Sequence, residues 1–154
     1  MRILVVCSGN TCRSPLAAAM LAEKLAAAPE FAGVTVTSAG TAAWDGAPVS
    51  EGSYLVALER GLDLSAHRAR MLTSDQIRDA DLILTMSETQ ARRVADLGGA
   101  EKVHTLATYA GNPDGRRDVE DPHGGDVAEY RDIATLLDDL LTRAVTRLHT
   151  ERRP

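Results

Sequence analysis

Ile3-Leu4-Val5-Val6 is a continuous, mostly β-branched apolar run, the pattern of a strand buried on both faces. Behind it come Cys7-Ser8-Gly9-Asn10-Thr11-Cys12-Arg13 and then Ser14-Pro15, which reads as a helix N-cap and first helical residue. The order is strand, loop, helix. A strand that needs cover on each face and leads straight into a helix belongs to a sheet sandwiched between helical layers.

The rest of the chain keeps that alternation. Leu16, Met20, Leu21 and Leu25 hold helical spacing until Pro29, and Val34-Thr35-Val36-Thr37 predicts a second strand ending at Ser38-Ala39-Gly40. After a loop with Trp44, Gly46 and Pro48, a helix from Ser50 to Arg60 places Tyr54, Leu55 and Leu58 on one face, with Gly61 as its C′ residue. Leu82-Ile83-Leu84-Thr85 predicts a third strand. Ser87 caps a helix running to about Leu97 before Gly98-Gly99, and Val103 to Leu106 predicts a weaker fourth strand. Asn112-Pro113-Asp114-Gly115 opens a polar loop through Gly125. The longest helix follows, with Tyr130, Ile133, Leu137, Leu140, Leu141, Ala144 and Leu148 on one stripe. This pattern implies an α/β, three-layer fold with a parallel sheet covered by helices on both faces. In such sheets ligands bind beyond the carboxyl ends of the strands, near a topological switch point, and the Cys7–Arg13 loop is expected there.

Size and composition narrow the function classes. The chain has 154 residues, 44% hydrophobic and 25% charged, so one domain over residues 1–154 with a packed core is expected. Aromatics are only 3%, which argues against a stacking platform for single-stranded nucleic acid. With 17 Lys and Arg against 22 Asp and Glu, a net charge of −5, no nucleic-acid partner is expected. Two cysteines are too few for a disulfide scaffold and point to a reducing compartment. The run before Cys7 is short for a signal-peptide core and no apolar stretch could span a bilayer, so a cytoplasmic location, no membrane partner and a monomer are expected.

The first loop carries the chemistry. Gly9 and Asn10 tolerate positive φ, so successive backbone N–H groups can turn inward as an anion nest. The helix opening at Ser14-Pro15 adds its positive dipole end, and the fork of Arg13 can grip two phosphate oxygens. A thiol beside such donors, as Cys7 would be, is suited to act as a nucleophilic thiolate. Attack on a bound phosphoryl group would give a phosphocysteine and split one hydrolysis into two displacements. No metal or cofactor is expected: among His67, His104, His123 and His149 no pair has zinc-helix spacing. One carboxyl group can protonate the leaving group and then activate water. Asp118, Glu120, Asp121 and Asp126 crowd the loop before the last helix, and spacing does not choose among them.

Val6-Cys7-Ser8-Gly9-Asn10-Thr11-Cys12-Arg13-Ser14-Pro15 strongly resembles the signature loop of the low-molecular-weight protein tyrosine phosphatases. The resemblance continues in Thr37-Ser38-Ala39-Gly40-Thr41, Trp44, His67-Arg68-Ala69-Arg70, Ala80-Asp81-Leu82-Ile83-Leu84-Thr85-Met86 and Asp121-Pro122, nearly the whole chain. It implies a four-stranded parallel sheet with flanking helices, Cys7 as nucleophile, Arg13 as phosphate clamp and Asp121 as general acid. Ser8, Gly9, Asn10, Thr11 and Cys12 would form the phosphate loop, and Ser14 would hydrogen-bond the thiolate. Ser38 and His67 would support Asn10, and Trp44 would line the cleft wall. Cys12 matches a second loop cysteine that can pair with Cys7 on oxidation; a plain packing role is equally open to it.

Two positions bear on the substrate, expected to be a phosphorylated protein that releases inorganic phosphate. In tyrosine-directed relatives the position of Thr11 usually holds a bulky aliphatic residue. Gly-Asn-Thr-Cys-Arg resembles instead the bacterial protein-arginine phosphatase branch, and a hydroxyl suits a polar guanidinium. His123 stands where an aromatic normally follows Asp-Pro, and its ring still offers a flat face. Phosphoarginine is therefore favoured slightly, with phosphotyrosine as the alternative. Asp118 and Glu120 read as solvated loop charges, and Arg116-Arg117 as solvated residues that could steer anions. An arsenate reductase would need a further cysteine beyond Cys12. A non-catalytic phosphate-binding or thiol-sensing module would not need Asp121.

Overall fold

The computed structural model describes residues 1–152. Its centre is a four-stranded sheet of β1 (Arg2–Cys7), β2 (Thr35–Gly40), β3 (Leu82–Thr85) and β4 (Val103–Thr105), all parallel, in the order β2-β1-β3-β4. Alternation along β1 explains the two helical layers. Ile3, Val5 and Cys7 face one apolar cluster, and Leu4 and Val6 face the other. The larger cluster lies under α1 (Arg13–Ala26), α5 (Leu106–Tyr109) and α6 (Val127–Glu151); the smaller one lies under α3 (Ser74–Asp79) and α4 (Glu88–Val94). The order reverses between β1 and β3, so the loop after Cys7 leaves the sheet at the switch point.

The long carboxyl-terminal helix α6 buries Tyr130, Ala134, Leu137, Leu140, Leu141, Ala144 and Leu148, with Ile133 partly buried. That stripe is the one read from its spacing. Each fully buried Leu contributes about 1.5–3 kcal/mol, which holds the helix on α1 although its outer face is charged. Asp126 caps it, accepting from Glu129 N–H at 3.0 Å. Ser87 caps α4 as expected, in a full capping box with Gln90. The helix α2 (Glu51–Glu59) ends in a Schellman turn: Leu62 N–H reaches Ala57 O, Gly61 N–H reaches Leu58 O, and Gly61 has φ 77°.

Local chemistry moves several boundaries. α1 begins at Arg13, two residues earlier than expected, and Ser14 is not its cap; the N-cap position falls on Cys12. The Ser14 hydroxyl is buried and turned to other partners inside the site. Leu106 starts α5 instead of ending β4, because the Thr105 hydroxyl accepts from Thr108 N–H and caps a helix there. α4 stops at Val94 and continues as a π turn over Ala95–Gly99, where Gly98 adopts φ 107°. α3 was not expected from apolar spacing. α2 buries Ser53, Val56 and Ala57, while Leu55 and Leu58 stay exposed. Ser53 on its inner face bonds Cys12 O of the loop after β1.

Candidate active site

Five carbonyl groups of the loop from Cys7 to Arg13 are tied to neighbouring segments. Cys7 O and Ser8 O accept from Thr41 N–H and Ala42 N–H at 2.9 Å each. Asn10 O lies 2.7 Å from His67 Nε2, Thr11 O accepts from Ser50 N–H at 2.8 Å, and Cys12 O accepts from Ser53 Oγ at 3.0 Å. A loop whose oxygens are engaged on its outer side keeps its cleft side free of competing acceptors, the condition for holding an anion. Asn10 alone among these residues takes a positive φ, 56°; Gly9 does not. Gly40 at the end of β2 is required by proximity: a Cβ there would meet Ser8 O at 2.4 Å and Asn10 N at 3.0 Å.

Asn10 is fully buried and fully bonded. Its Nδ2 donates to Ser14 Oγ at 2.8 Å and to Ser38 Oγ at 2.9 Å, and its Oδ1 accepts from Arg70 N–H at 2.9 Å. Both groups expected to support it, Ser38 and His67, are in contact with it. The Cys7 sulfur lies 2.9 Å from Ser14 Oγ and accepts from Asn10 N–H at 3.2 Å.

Arg13 is almost wholly buried, and its Nη1 donates to Val119 O at 2.9 Å. Its Nη2 stands 3.7 Å from Asp121 Oδ2, while Asp121 Oδ1 accepts from His123 N–H at 2.9 Å. The Asp121 side chain is half exposed, at the rim. Arg13 Nε is buried without a hydrogen-bond partner, a donor in want of an acceptor. Cys7, Gly9, Thr11, Cys12, Arg13, Asp121 and His123 line one cleft of about 170 Å³, a volume suited to a phosphoryl group.

Other expected site residues sit elsewhere. Trp44 does not line this cleft; it is 85% exposed, because Asp45 beside it is spent on Met71 N–H at 2.7 Å and Gly46 N–H on Ala69 O, holding the loop away. The Ser8 hydroxyl is drawn to Gln90 Nε2 at 3.0 Å and away from the cleft lining. Asp118 is not a free charge: its Oδ1 accepts from Glu88 N–H at 2.9 Å. Cys12 Sγ lies 3.2 Å from Ser50 Oγ and 3.5 Å from Tyr130 OH, and both Cys7 and Cys12 are free thiols. Burial, with the Cys12 contact second, pushes the Tyr130 hydroxyl above its usual range. Gly52 lets that ring approach, since a Cβ there would fall 2.5 Å from it. Ser50, Ser53, Gln90, Val119 and Tyr130 escape a reading of the sequence. Only Gln90 carries a signal, as the third residue of the capping box that Ser87 opens.

Among the described residues no helix is long and apolar enough to cross a membrane. The family described as low molecular weight phosphotyrosine protein phosphatase matches residues 2–153. A protein-arginine-phosphatase of Geobacillus stearothermophilus is 36% identical over 153 residues, covering 98% of each chain. A probable low molecular weight protein-tyrosine-phosphatase, EpsP, of Ralstonia solanacearum is 34% identical, covering 88% of this chain and 87% of its own. Among solved structures, a YwlE arginine phosphatase mutant with a phosphorylated active-site serine superposes with a TM-score of 0.88 at 32% identity, covering 99% of each chain. Fold, loop and full-length likeness agree, and the chain is an enzyme that belongs to the low molecular weight phosphotyrosine protein phosphatase family.

Proposed function

We propose that residues 1–154 act as one phosphatase domain that hydrolyses phosphorylated protein side chains through a phosphocysteine, with phosphoarginine the favoured substrate. The observation that carries this reading is the buried, unpartnered Nε of Arg13, a residue that lines one cleft together with Cys7 and Asp121. In the first step the Cys7 thiolate forms a bond to phosphorus as the bond to the substrate nitrogen or oxygen breaks, and the Asp121 carboxylic acid gives its proton to that leaving atom. In the second step the Asp121 carboxylate takes a proton from water as it attacks phosphorus. The sulfur–phosphorus bond breaks, inorganic phosphate leaves and the thiolate is restored. Arg13 and the loop N–H groups hold the equatorial oxygens through both steps. The related arginine phosphatase with a phosphorylated active-site serine supports a covalent route.

Among the described residues that line the cleft, Thr11 alone carries a neutral hydroxyl, 3.8 Å from Cys12 Sγ, which favours a polar guanidinium over an apolar ring. The curated arginine phosphatase relative supports the same side. The test is phosphate release from a matched peptide pair, one with phosphoarginine and one with phosphotyrosine, using Cys7→Ser as blank and no added metal. Faster release from phosphoarginine is expected. Preference for phosphotyrosine would move the chain to the tyrosine-directed branch, and no release above the blank would end the phosphatase reading.

A further inference from the structure

The segment bearing Asp121 lies in a stretch, 110–126, with no helix or strand of its own, so something else must set the carboxyl against the sulfur. Met86 and the first turn of α4 bond to the chain on both sides. Toward the acid segment, Met86 O accepts from Val119 N–H at 2.7 Å, and Glu88 N–H donates to Asp118 Oδ1 at 2.9 Å. Glu88 Oε1 adds a bond from Arg117 Nη1 at 3.0 Å. Toward the nucleophile, Met86 N–H reaches Val6 O at 3.0 Å, one residue before Cys7. The buried Gln90 amide accepts from Met86 N–H and Ser87 N–H and donates to Ser8 Oγ, one residue after Cys7. Val119 O closes the circuit on Arg13 Nη1 at 2.9 Å.

We propose that Asp118 is a positioning residue for the acid step: by taking the first free N–H of α4 it locks the Asp121 segment to the helix that also holds the Cys7 loop. Val119 is buried and bonded through both backbone groups, but the Arg117–Glu88 pair before it joins two exposed side chains and constrains the segment weakly. Asp118, one residue before Val119 and three before Asp121, removes the remaining freedom with a side-chain oxygen bonded to Glu88 N–H. Without it Asp121 would stay near Arg13 and lose the placement that proton transfer needs, where an error of about 1 Å can cost on the order of a hundredfold.

This inference rests on the reading of Asp121 as general acid, and the experiment separates the two. We would compare kcat/KM for 4-nitrophenyl phosphate, whose leaving group hardly needs a proton, with phenyl phosphate, whose leaving group does. Wild type, Asp118→Ala, Asp118→Asn and Asp121→Asn would be measured, with inorganic phosphate inhibition reporting an intact Cys7 loop. Asp118→Ala is expected to lose about tenfold on phenyl phosphate and less than about twofold on 4-nitrophenyl phosphate, with phosphate inhibition unchanged. Asp118→Asn, which keeps an oxygen for Glu88 N–H, should restore the wild-type ratio. Equal losses on both substrates, no loss on either, or an Asn variant that behaves as Ala would overturn the proposal. If Asp121→Asn itself shows no selective loss on phenyl phosphate, the acid assignment fails first.

Discussion

Asn10 donates to Ser14, and that fixes the polarity of the hydroxyl beside Cys7. Arg70 N–H points at one end of the Asn10 amide, at 2.9 Å, which makes that end the oxygen and the other end the nitrogen. The nitrogen can only donate, so Ser14 Oγ accepts at 2.8 Å and keeps its own proton for the Cys7 sulfur, 2.9 Å away. Ser14→Ala removes a donor that is strongest when the sulfur is charged. A bond of this kind is worth about 1.5–3 kcal/mol, so kcat should fall roughly ten- to hundredfold. Steady-state kinetics check this, with alkylation of Cys7 at neutral pH expected to slow in parallel.

Gly40 tests the outer wall of the loop. A methyl group there would sit 2.4 Å from Ser8 O and 3.0 Å from Asn10 N, both backbone atoms that cannot swing aside. Gly40→Ala must push the loop into its own cleft or part it from β2. A loss of about 1–3 kcal/mol in stability is expected from overpacking. Turnover should fall further than folding does, because the displaced atoms belong to Ser8, next to Cys7, and to Asn10, whose N–H bonds the Cys7 sulfur. Urea denaturation and kinetics on the same preparation separate the two effects.

The same contacts explain what a linear reading reaches and what it misses. Cys7, Asn10, Arg13 and Ser14 are legible because one short loop carries them all between a strand and a helix; the structure bonds Cys7, Asn10 and Ser14 to one another and puts Arg13 in one cleft with Cys7. Gln90 and Val119 are not, since their bonds to Ser8 and Arg13 join residues 82 and 106 positions apart. Tertiary packing, not spacing, makes those pairs. α3 carries a signal of its own: Thr73 and Gln76 form a capping box, which outlasts its weak apolar pattern. The spacing of Tyr54, Leu55 and Leu58 points to the wrong face of α2, because the buried face is Ser53, Val56 and Ala57 and Ser53 donates to Cys12 O.

His104 gives the fold a pH response remote from the cleft. Burial, and then the nearby Arg147 charge, lower its pKa below the usual 6.5, with Glu151 opposing in part. The unfolded chain thus binds the His104 proton more readily than the folded one. Stability rises with pH across this window and is lost as pH falls below 6.5 toward the folded pKa. His104→Asn should flatten that slope. The measurement is the urea midpoint at pH 7.5 and 5.5 for both proteins, where the wild type should lose more on acidification; equal losses would remove His104 as the cause.

Thr11 allows substrate preference to be tested without disturbing the thiol. Its side chain lines the cleft beside Cys7 and Gly9, and its backbone carbonyl is held by Ser50 N–H at 2.8 Å, so Thr11→Val changes a hydroxyl to a methyl on an unchanged frame. A hydroxyl that hydrogen-bonds a guanidinium contributes about 1–2 kcal/mol, or roughly five- to thirtyfold in kcat/KM. An apolar ring would gain nothing from that bond. Thr11→Val should therefore lose activity on the phosphoarginine peptide by that factor and keep or raise its activity on the phosphotyrosine peptide. If both substrates fall together, Thr11 shapes the loop and does not choose the substrate; selectivity would then rest with His123, which also lines the cleft.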